Sequence, residues 1–428
     1  MNRLSILFLS TALTVGVTTL SPQAVRAEGA VDPAQVVATY ADIGAATYGD
    51  ALIAARSLQS AVDALIANPS DQALADARAA WIAARVPYQQ SEVFRFGNPV
   101  VDDWEGRVNS WPLDEGLIDY VDPSYADSGE NPLAVLNVVA TPSFTLGGQT
   151  IDAAQITPEL IAGTLHGADE VDANVASGYH AIEFLLWGQD LNGTDAGAGN
   201  RPFTDYLQGE GCTGGSCDRR AAYLKAATDL LVTDLEEMAK AWEQGGAARA
   251  VVQTDPKAGL LAMLTGMGSL SYGELAGERM KLGLMLNDPE EEQDCFSDNT
   301  YNSHYNDGVG MQNVYLGKYQ RLDGTVVTGP ALADLVAAAD PAVDTELRGK
   351  LEATVTALGA IKTTAEAGLA YDQMLAPGNA EGEKLITAAV DALVTQTASI
   401  ERAVTALGLS KISIEGSDSL DNPGAVFQ

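Results

Sequence analysis

Apolar residues recur at steps of three and four along most of the chain. From Pro33 to about Ala67 they fall on one face, which is typical of a single long amphipathic helix. The positions on this face are Val37, Tyr40, Gly44, Tyr48, Leu52, Ala55, Leu58, Val62 and Leu65. Asn68-Pro69-Ser70 ends the pattern. Asp71 is the expected N-cap of a second helix that runs to about Phe96, with a kink at Pro87.

The segment 97–152 does not follow this periodicity. Its prolines, glycines and tryptophans predict a long packed loop with little regular structure, and such loops are uncommon unless they have a function. Helical patterns resume at Thr157-Pro158-Glu159 and again from about Val171 to Trp187. A glycine-rich loop over 188–217 follows, and Asp218 is expected to cap a helix that ends near Gln244.

Gly245-Gly246 and the segment through Pro256 are the best candidate for a domain boundary. Beyond this boundary, helical patterns cover about 257–286, 301–320, 331–339, 342–375 and 380–408. Each half thus holds about four long helices, enough to close a bundle, and no strand-period segment of convincing length occurs. We therefore predict an all-α fold of two helical bundles, with domains at 28–250 and 251–428.

The first residues predict export. Arg3 precedes a mostly apolar stretch from Leu4 to Leu20, and Val25-Arg26-Ala27 places small residues where a signal peptidase cleaves. We expect residues 1–27 to be a cleaved signal peptide. The mature chain would then have no transmembrane span and would be periplasmic, either free or peripheral to the outer membrane.

A formal net charge of -34 narrows the range of partners. A field of this sign repels nucleic acid and anionic membranes, and it concentrates cations near the surface. Acidity of this kind also serves solubility, so the charge by itself does not establish a metal-binding function. It does make nucleic acid an unexpected partner.

The spacing of the cysteines suggests one disulfide that closes a small loop. Cys212 and Cys217 flank the turn-prone Thr-Gly-Gly-Ser, and in an oxidising compartment the two are expected to form a disulfide. Cys295 is left as a free, partly buried thiol. With one spare cysteine, a zinc site made of thiolates is excluded.

The sharpest local pattern is Gly-Tyr-His-Ala-Ile-Glu-Phe-Leu-Leu-Trp-Gly at 178–188. His180 and Glu183 are three residues apart and so share one helix face, where an imidazole and a carboxylate can bind one metal ion. Apolar neighbours in the other directions predict that this helix is buried, and a buried carboxylate needs a partner or a metal. Two interpretations stay open from the spacing: a metal site, or a structural His–Glu hydrogen bond.

A second set of polar residues forms a stripe on the helix predicted to reach Phe96. Its members are Trp81, Arg85, Tyr88, Glu92 and Arg95. The spacing predicts a buried network in which Glu92 extends toward a metal ion, with Arg85, Tyr88 and Arg95 around it. The alternative is an internal salt bridge of Glu92 with Arg85 or Arg95. Asp114, in the long loop, is a further candidate oxygen ligand.

The second half carries a candidate second polar centre of Glu278, Asp298 and His304. Ser297 or Asp298 would cap the helix of His304, and this capping role is the alternative interpretation. His166 is expected at the surface. Zinc-peptidase, serine-hydrolase and phosphate-loop motifs are absent from the sequence, so those chemistries have no support.

Residues 178–188 resemble the Gly-x-His-x-x-Glu signature of the imelysin family, which includes the insulin-cleaving membrane protease and the iron-regulated protein A group. Further segments are similar to the iron-regulated subgroup, namely 81–96, Trp111-Pro112, 212–220 and 295–300. The likeness thus extends over about 40–320. The resemblance implies export, two packed helical bundles, and a metal-binding role for His180 and Glu183.

The resemblance bears less directly on the other candidates. Glu92 and Asp114 lie in segments similar to the family, without matching its signature. Tyr301 stands where the subgroup often has a histidine. Either His304, one helical turn further on, substitutes for that histidine, or the second polar centre does not bind metal in this chain.

Three functions follow as hypotheses. The first is a periplasmic iron-binding accessory of iron uptake, whose other partners would be periplasmic or outer-membrane uptake components. One nitrogen and several oxygens suit iron, and also suit zinc or another divalent metal. The second is a metal-dependent peptidase, against which the thin ligand set and the lack of an obvious base both count. The third is a metal-free binding module in which His180 and Glu183 are structural.

Overall fold

Helices account for most of the computed structural model, which describes residues 31–127 and 131–427. The predicted signal peptide lies outside the described residues. The α-helices are α1 Pro33–Ala67, α2 Asp71–Gln89, α3 Pro99–Asn109, α4 Glu115–Ile118, α5 Pro158–Leu160, α6 Gly178–Trp187, α7 Cys217–Trp242, α8 Ala247–Gln253, α9 Pro256–Ser269, α10 Leu282–Leu286, α11 Thr300–Leu316, α12 Leu332–Ala339, α13 Pro341–Glu366, α14 Tyr371–Leu375, α15 Ala380–Ala406 and α16 Asp418–Asp421. The π-helical segment Leu270–Lys281 joins α9 to α10, and another, Ile161–Leu165, extends α5. The all-α prediction is confirmed.

The first long helix follows its sequence pattern closely. Asp32 caps α1 by accepting a hydrogen bond from the amide of Ala34, and Pro33 occupies the first turn, where its missing N–H costs nothing. The predicted apolar face of α1 packs against α2 and α7. At Gly44 on this face, the indole of Trp242 lies so close that an added Cβ would come within 2.9 Å of it. The glycine therefore permits a close approach of α7.

The second helix differs from the prediction at both ends. Its N-cap is Ser70, whose hydroxyl accepts from the amide of Ala73, rather than Asp71. It ends at Gln89, two residues after Pro87, and a 3-10 turn follows at Glu92–Phe94. The polar stripe predicted on one continuous helix is thus broken before Glu92.

The segment 97–152 is more regular than predicted. It contains α3, which starts with the Asn98 cap and Pro99, both of which are ordinary helix-start signals. It also contains an antiparallel hairpin of β1 (Ser143–Leu146) and β2 (Gln149–Asp152), with Phe144 opposite Ile151. A second hairpin pairs β3 (Lys318–Gln320) with β4 (Val326–Thr328). These strands are too short to produce a convincing alternation in the sequence.

The helices pack in two groups. The first is built on α1, α2 and α7, with α6 and α8 against them; the second is built on α11, α13 and α15, with α9 and the π-helical segment. Contacts of α2 with α11 and of α1 with α9 join the groups, and the described residues from Val31 onward form one compact unit. The boundary between 28–250 and 251–428 therefore remains a prediction. Within the described ranges, no helix has both the length and the apolar character needed to cross a membrane.

The structure also shows the surroundings of the three cysteines and of His166. Cys212 and Cys217 are joined by a disulfide, and Cys217 is also the first residue of α7, one residue before the predicted cap Asp218. Cys295 is a free, partly buried thiol. His166 is not a simple surface residue, because it is half-buried and its Nδ1 accepts a hydrogen bond from the amide of Ala176.

Candidate metal centre

Helix α6 is buried at every position. It begins at Gly178, whose φ of 82° is in the left-handed region and whose missing side chain makes room for the carbonyl of Val108. The indole of Trp81 on α2 donates to the carbonyl of Tyr179 at 2.9 Å, which ties α6 to α2. A glycine is therefore required at the start of the Gly-x-His-x-x-Glu pattern, because a side chain would collide with Val108. These contacts fix the position of α6, which carries His180 and Glu183.

Three buried side chains converge at this helix. His180, Glu183 and Asp294 each offer a potential ligand atom, and these atoms lie within 4.8 Å of one another. Nδ1 of His180 is 3.0 Å from Oε2 of Glu183 and 3.9 Å from Oδ1 of Asp294. Nε2 of His180 is also buried, and no described residue hydrogen-bonds to it. One imidazole and two carboxylates at this spacing can share a single divalent transition metal.

Asp294 is held as an anion. Arg85 donates to its Oδ1 at 2.8 Å, and Asn299 and Ser303 donate to its Oδ2. Burial by itself would raise the pKa of Asp294, but the charge of Arg85 and these hydrogen bonds hold it below its ordinary value. The carboxylate is thus charged and oriented before any cation arrives.

For the other two members, burial favours the neutral form. Burial, and then the positive charge of Arg85, lower the pKa of His180 to about 3, so its ring is a neutral ligand at neutral pH. Burial and the charge of Asp294 raise the pKa of Glu183 well above its ordinary value. The amide and hydroxyl of Ser297 donate to Oε1 of Glu183 at 3.0 and 2.6 Å and oppose that rise. A cation that binds here would compete with a proton for Glu183.

Two residues of the predicted stripe border this group. The guanidinium of Arg85 is fully buried, pairs with Asp294 and also donates to Asn109 at 2.6 Å. It lies over the rings of Tyr88 and Tyr179, at 5.7 and 5.0 Å from their centroids. Tyr88 thus supports the arginine that orients Asp294.

Trp81 of the stripe contacts α6, whereas Glu92 and Arg95 lie elsewhere. Glu92 accepts from Arg279 at 2.7 Å, and this partner is neither of the arginines that the sequence suggested. Arg95 pairs with Asp102 at 3.0 Å and Glu105 at 3.6 Å. The physical reason is the end of α2 at Gln89, after which the chain turns, so that Glu92 meets Arg279 and Arg95 meets acidic residues of α3.

Asp114 lies near the group without joining it. Its carboxylate accepts hydrogen bonds from the hydroxyl of Tyr125 at 3.0 Å and from the side-chain amide of Asn131. Together with His180 it lines a cavity of about 440 Å³ whose wall also includes Glu115. The structure therefore places Asp114 on the wall of a space that leads to His180.

The three residues of the second polar centre occupy three different surroundings. His304 is buried, its ring lies edge-on to Tyr371 at 5.2 Å, and neither ring nitrogen has a hydrogen-bond partner among the described residues. Asp298 groups with Asp190 and Asp372. Glu278 lines a separate cavity beside the C-terminal segment 416–421. The N-cap of α11 is Asn299, so neither Ser297 nor Asp298 has the expected capping role.

The burial of His304 predicts sensitivity to acid. Burial and Arg279 lower its pKa to about 3, whereas an unfolded chain has the ordinary value of 6.5. Between these values protons bind the unfolded state more strongly, so the free energy of unfolding falls by about 1.4 kcal/mol per pH unit below 6.5 on account of this ring. Urea unfolding of metal-free protein at pH 7, 6 and 5 should show this extra loss in the wild type and not in His304→Phe. Equal pH slopes for the two proteins would contradict the prediction.

Sequence reasoning missed Asp294 and Ser297 as members of the site. Both lie in the stretch Asp294-Cys295-Phe296-Ser297, which the pattern marked only as a helix start. Ser297 contacts Glu183 across 114 positions of chain. No periodicity connects such distant residues. The one available signal was the family-like segment 295–300, which begins one residue after Asp294.

Comparisons with known proteins agree with this architecture. The sequence profile named Imelysin matches residues 44–400. The crystal structure of a candidate iron-regulated protein A precursor from Parabacteroides distasonis ATCC 8503 has a TM-score of 0.64 at 20% identity, over 89% of this chain and 97% of that chain. An imelysin-like protein from Psychrobacter arcticum 273-4 has a TM-score of 0.53 at 15% identity, over 89% and 98%.

At these identities the two solved structures show a shared fold and carry no statement about ligands. No curated protein sequence matches the chain significantly. The family profile, by contrast, covers most of the chain and includes α6 with its His180 and Glu183. The chain belongs to the imelysin family.

Proposed function

We propose that the chain is an exported, periplasmic metal-binding protein that holds one iron ion between His180, Glu183 and Asp294 and serves iron uptake or homeostasis. The supporting observation is the convergence of these three buried donor groups. One of them, His180, also has a buried Nε2 atom without a hydrogen-bond partner among the described residues. In the set of ligands proposed from the sequence, Asp294 takes the place of Glu92 and Asp114.

The chemistry of the three donors suits this ion. One nitrogen and two carboxylates are acceptable to iron, and also to zinc or manganese, whereas Ca²⁺ and Mg²⁺ prefer oxygen alone. Two carboxylates buried side by side are costly, and a bound cation would offset that cost. The cavity of about 440 Å³ beside His180 provides room for approach. The name of the Parabacteroides relative, iron-regulated protein A, favours iron among these metals.

The proposal is tested by metal analysis of protein purified from the periplasm, followed by titration of the metal-free form with ferrous, ferric and zinc ions. We expect one tightly bound ion per chain, with iron retained in preference to zinc. The mass of the purified chain should correspond to a start at Glu28, which tests export and cleavage together. Absence of metal under every condition would leave the hypothesis of a metal-free binding module.

The peptidase hypothesis has weaker structural support. A metal-bound water needs a nearby base to become a nucleophile. Of the two acidic donors, Asp294 is already paired with Arg85 and Glu183 is a proposed ligand, while Asp114 and Glu115 line the cavity beside His180 and lie outside the group of donors. In the same experiment, metal-loaded protein should cleave neither insulin nor casein above a Glu183→Gln control. Metal-dependent cleavage that this substitution abolishes would favour the peptidase instead.

A further inference from the structure

A second group of carboxylates lies apart from the three donors on and near α6. Asp190, Asp298 and Asp372 offer oxygen atoms within 4.8 Å of one another. They come from three places in the chain: the loop after α6, the turn before α11, and the first turn of α14. Asp372 is buried and the other two are half-buried. Acidic clusters are common, so this grouping needs an independent sign of a ligand.

Glu292 supplies that sign. It is 2% exposed, and neither of its carboxylate oxygens has a hydrogen-bond partner, although the hydroxyl of Thr300 is close enough to lower its pKa in part. It shares the wall of a small cavity of about 10 Å³ with Asp190 and Asp372. A space of this size is about what one water molecule or one ion requires.

The same lack of partners extends to the cluster itself. Both carboxylate oxygens of Asp372 and one of Asp298 are buried and make no direct hydrogen bond, although the backbone amides of Asp372 and Gln373 are close enough to lower the pKa of Asp372 in part. Asp190 differs, because its Oδ1 accepts from the amide and side chain of Asn192. Buried polar atoms are normally satisfied, and buried carboxylates are normally paired or bound to a metal.

Within the described part of the chain, no lysine or arginine forms an ion pair with any of these four carboxylates. The contrast with Asp294 and Glu92 is direct, since each of those is paired with a buried arginine. Burial and the neighbouring acids raise the pKa of Asp298 to about 7 and that of Asp372 to about 6. The protein thus gathers four acids and provides no cation of its own to neutralise them.

We propose that Asp190, Glu292, Asp298 and Asp372 form a Ca²⁺ site. The donors are oxygens only, which suits a hard cation and disfavours a metal that prefers nitrogen or sulfur. Calcium–oxygen distances of about 2.3–2.6 Å separate opposite ligands by about 4.6–5.2 Å, so the oxygens of Asp190, Asp298 and Asp372, which lie within 4.8 Å of one another, can share one Ca²⁺ ion. Glu292 lines the small cavity beside them and would supply the fourth carboxylate. Mg²⁺ requires a tighter octahedron, at about 2.0–2.1 Å. Its four ligands are all different from the three proposed for iron, and two of them, Asp190 and Glu292, line the same cavity as His180.

The test is calorimetric titration of the metal-free mature protein with CaCl₂ and, separately, with MgCl₂. We expect one Ca²⁺ per chain, bound at least tenfold more tightly than Mg²⁺. Asp372→Asn and Asp298→Asn should each weaken Ca²⁺ binding at least tenfold. Asp103→Asn, which removes an exposed carboxylate on α3, should leave it unchanged and so controls for the general acidity of the surface.

Two further variants make the outcome decisive. His180→Ala should retain its Ca²⁺ affinity while losing iron, so that failure of one site is separable from failure of the other. Asp372→Asn removes a buried charge without changing shape, and the metal-free variant should melt at or above the wild-type temperature. A lower melting temperature with unchanged Ca²⁺ affinity would assign Asp372 a structural role and overturn the proposal. Absence of Ca²⁺ binding by the wild type at millimolar concentrations would also overturn it.

Discussion

Removal of one donor from the α6 site is expected to weaken iron binding by about 100-fold or more, beyond the 10–100-fold that loss of an outer-shell partner costs. His180→Ala, Glu183→Gln and Asp294→Asn should each have this effect, because the three atoms within 4.8 Å of one another form the whole proposed set. The measurement is competition titration of each variant with ferrous iron against a chelator of known affinity. Urea unfolding of each metal-free variant would show that it remains folded.

The same titration distinguishes the two ligand sets. Glu92→Gln should keep iron affinity, because Glu92 is paired with Arg279 and lies outside the group. Asp114→Asn should change the affinity only severalfold, because Asp114 borders the cavity without contacting the group. Glu352→Gln, on the exposed face of α13, is the matched control. A large loss of iron affinity in Glu92→Gln, with no loss in Asp294→Asn, would support the ligands predicted from the sequence and contradict those proposed from the structure.

Arg279→Met is expected to lower the free energy of unfolding by about 3–5 kcal/mol, the usual cost of leaving buried charges without their partner. Arg279 is fully buried and pairs with Glu92 at 2.7 Å, Glu274 at 2.6 Å and Asp307 at 3.2 Å. Methionine has a similar length and no charge, so the substitution leaves these acids without their shared cation. Urea unfolding at pH 7 measures the change.

Two comparisons assign the cause of that loss. Arg56→Met breaks an exposed ion pair with Glu236 and should lower the free energy of unfolding far less, because exposed ion pairs contribute little to stability. The double variant Arg279→Met, Glu92→Gln should recover part of the stability, because one of the stranded carboxylates is then neutral. A change in Arg279→Met as small as that in Arg56→Met would mean that this network is not an electrostatic centre of the fold.

The local features of this protein could be predicted from its sequence. The three- and four-residue periodicity located α1 to within a residue at both ends, because an amphipathic face is a property of consecutive turns. The spacing of His180 and Glu183 predicted that they share one face of one helix. In the structure, Nδ1 of His180 lies 3.0 Å from Oε2 of Glu183. Local spacing failed where the element itself ended early, as at Gln89, and the predicted position of Glu92 failed with it.

The rest of the site depends on the packing of segments that are distant in the sequence. Asp294 reaches α6 from the second half of the chain, Arg85 orients it from α2, and Glu92 finds its partner in Arg279 across 187 positions. Which distant residues meet depends on how helices pack, since many pairings satisfy the same periodicity and only the packed core selects one. The charges show the same division. Composition predicted an acidic protein, but burial determined which carboxylates are neutralised by arginines and which are left facing one another.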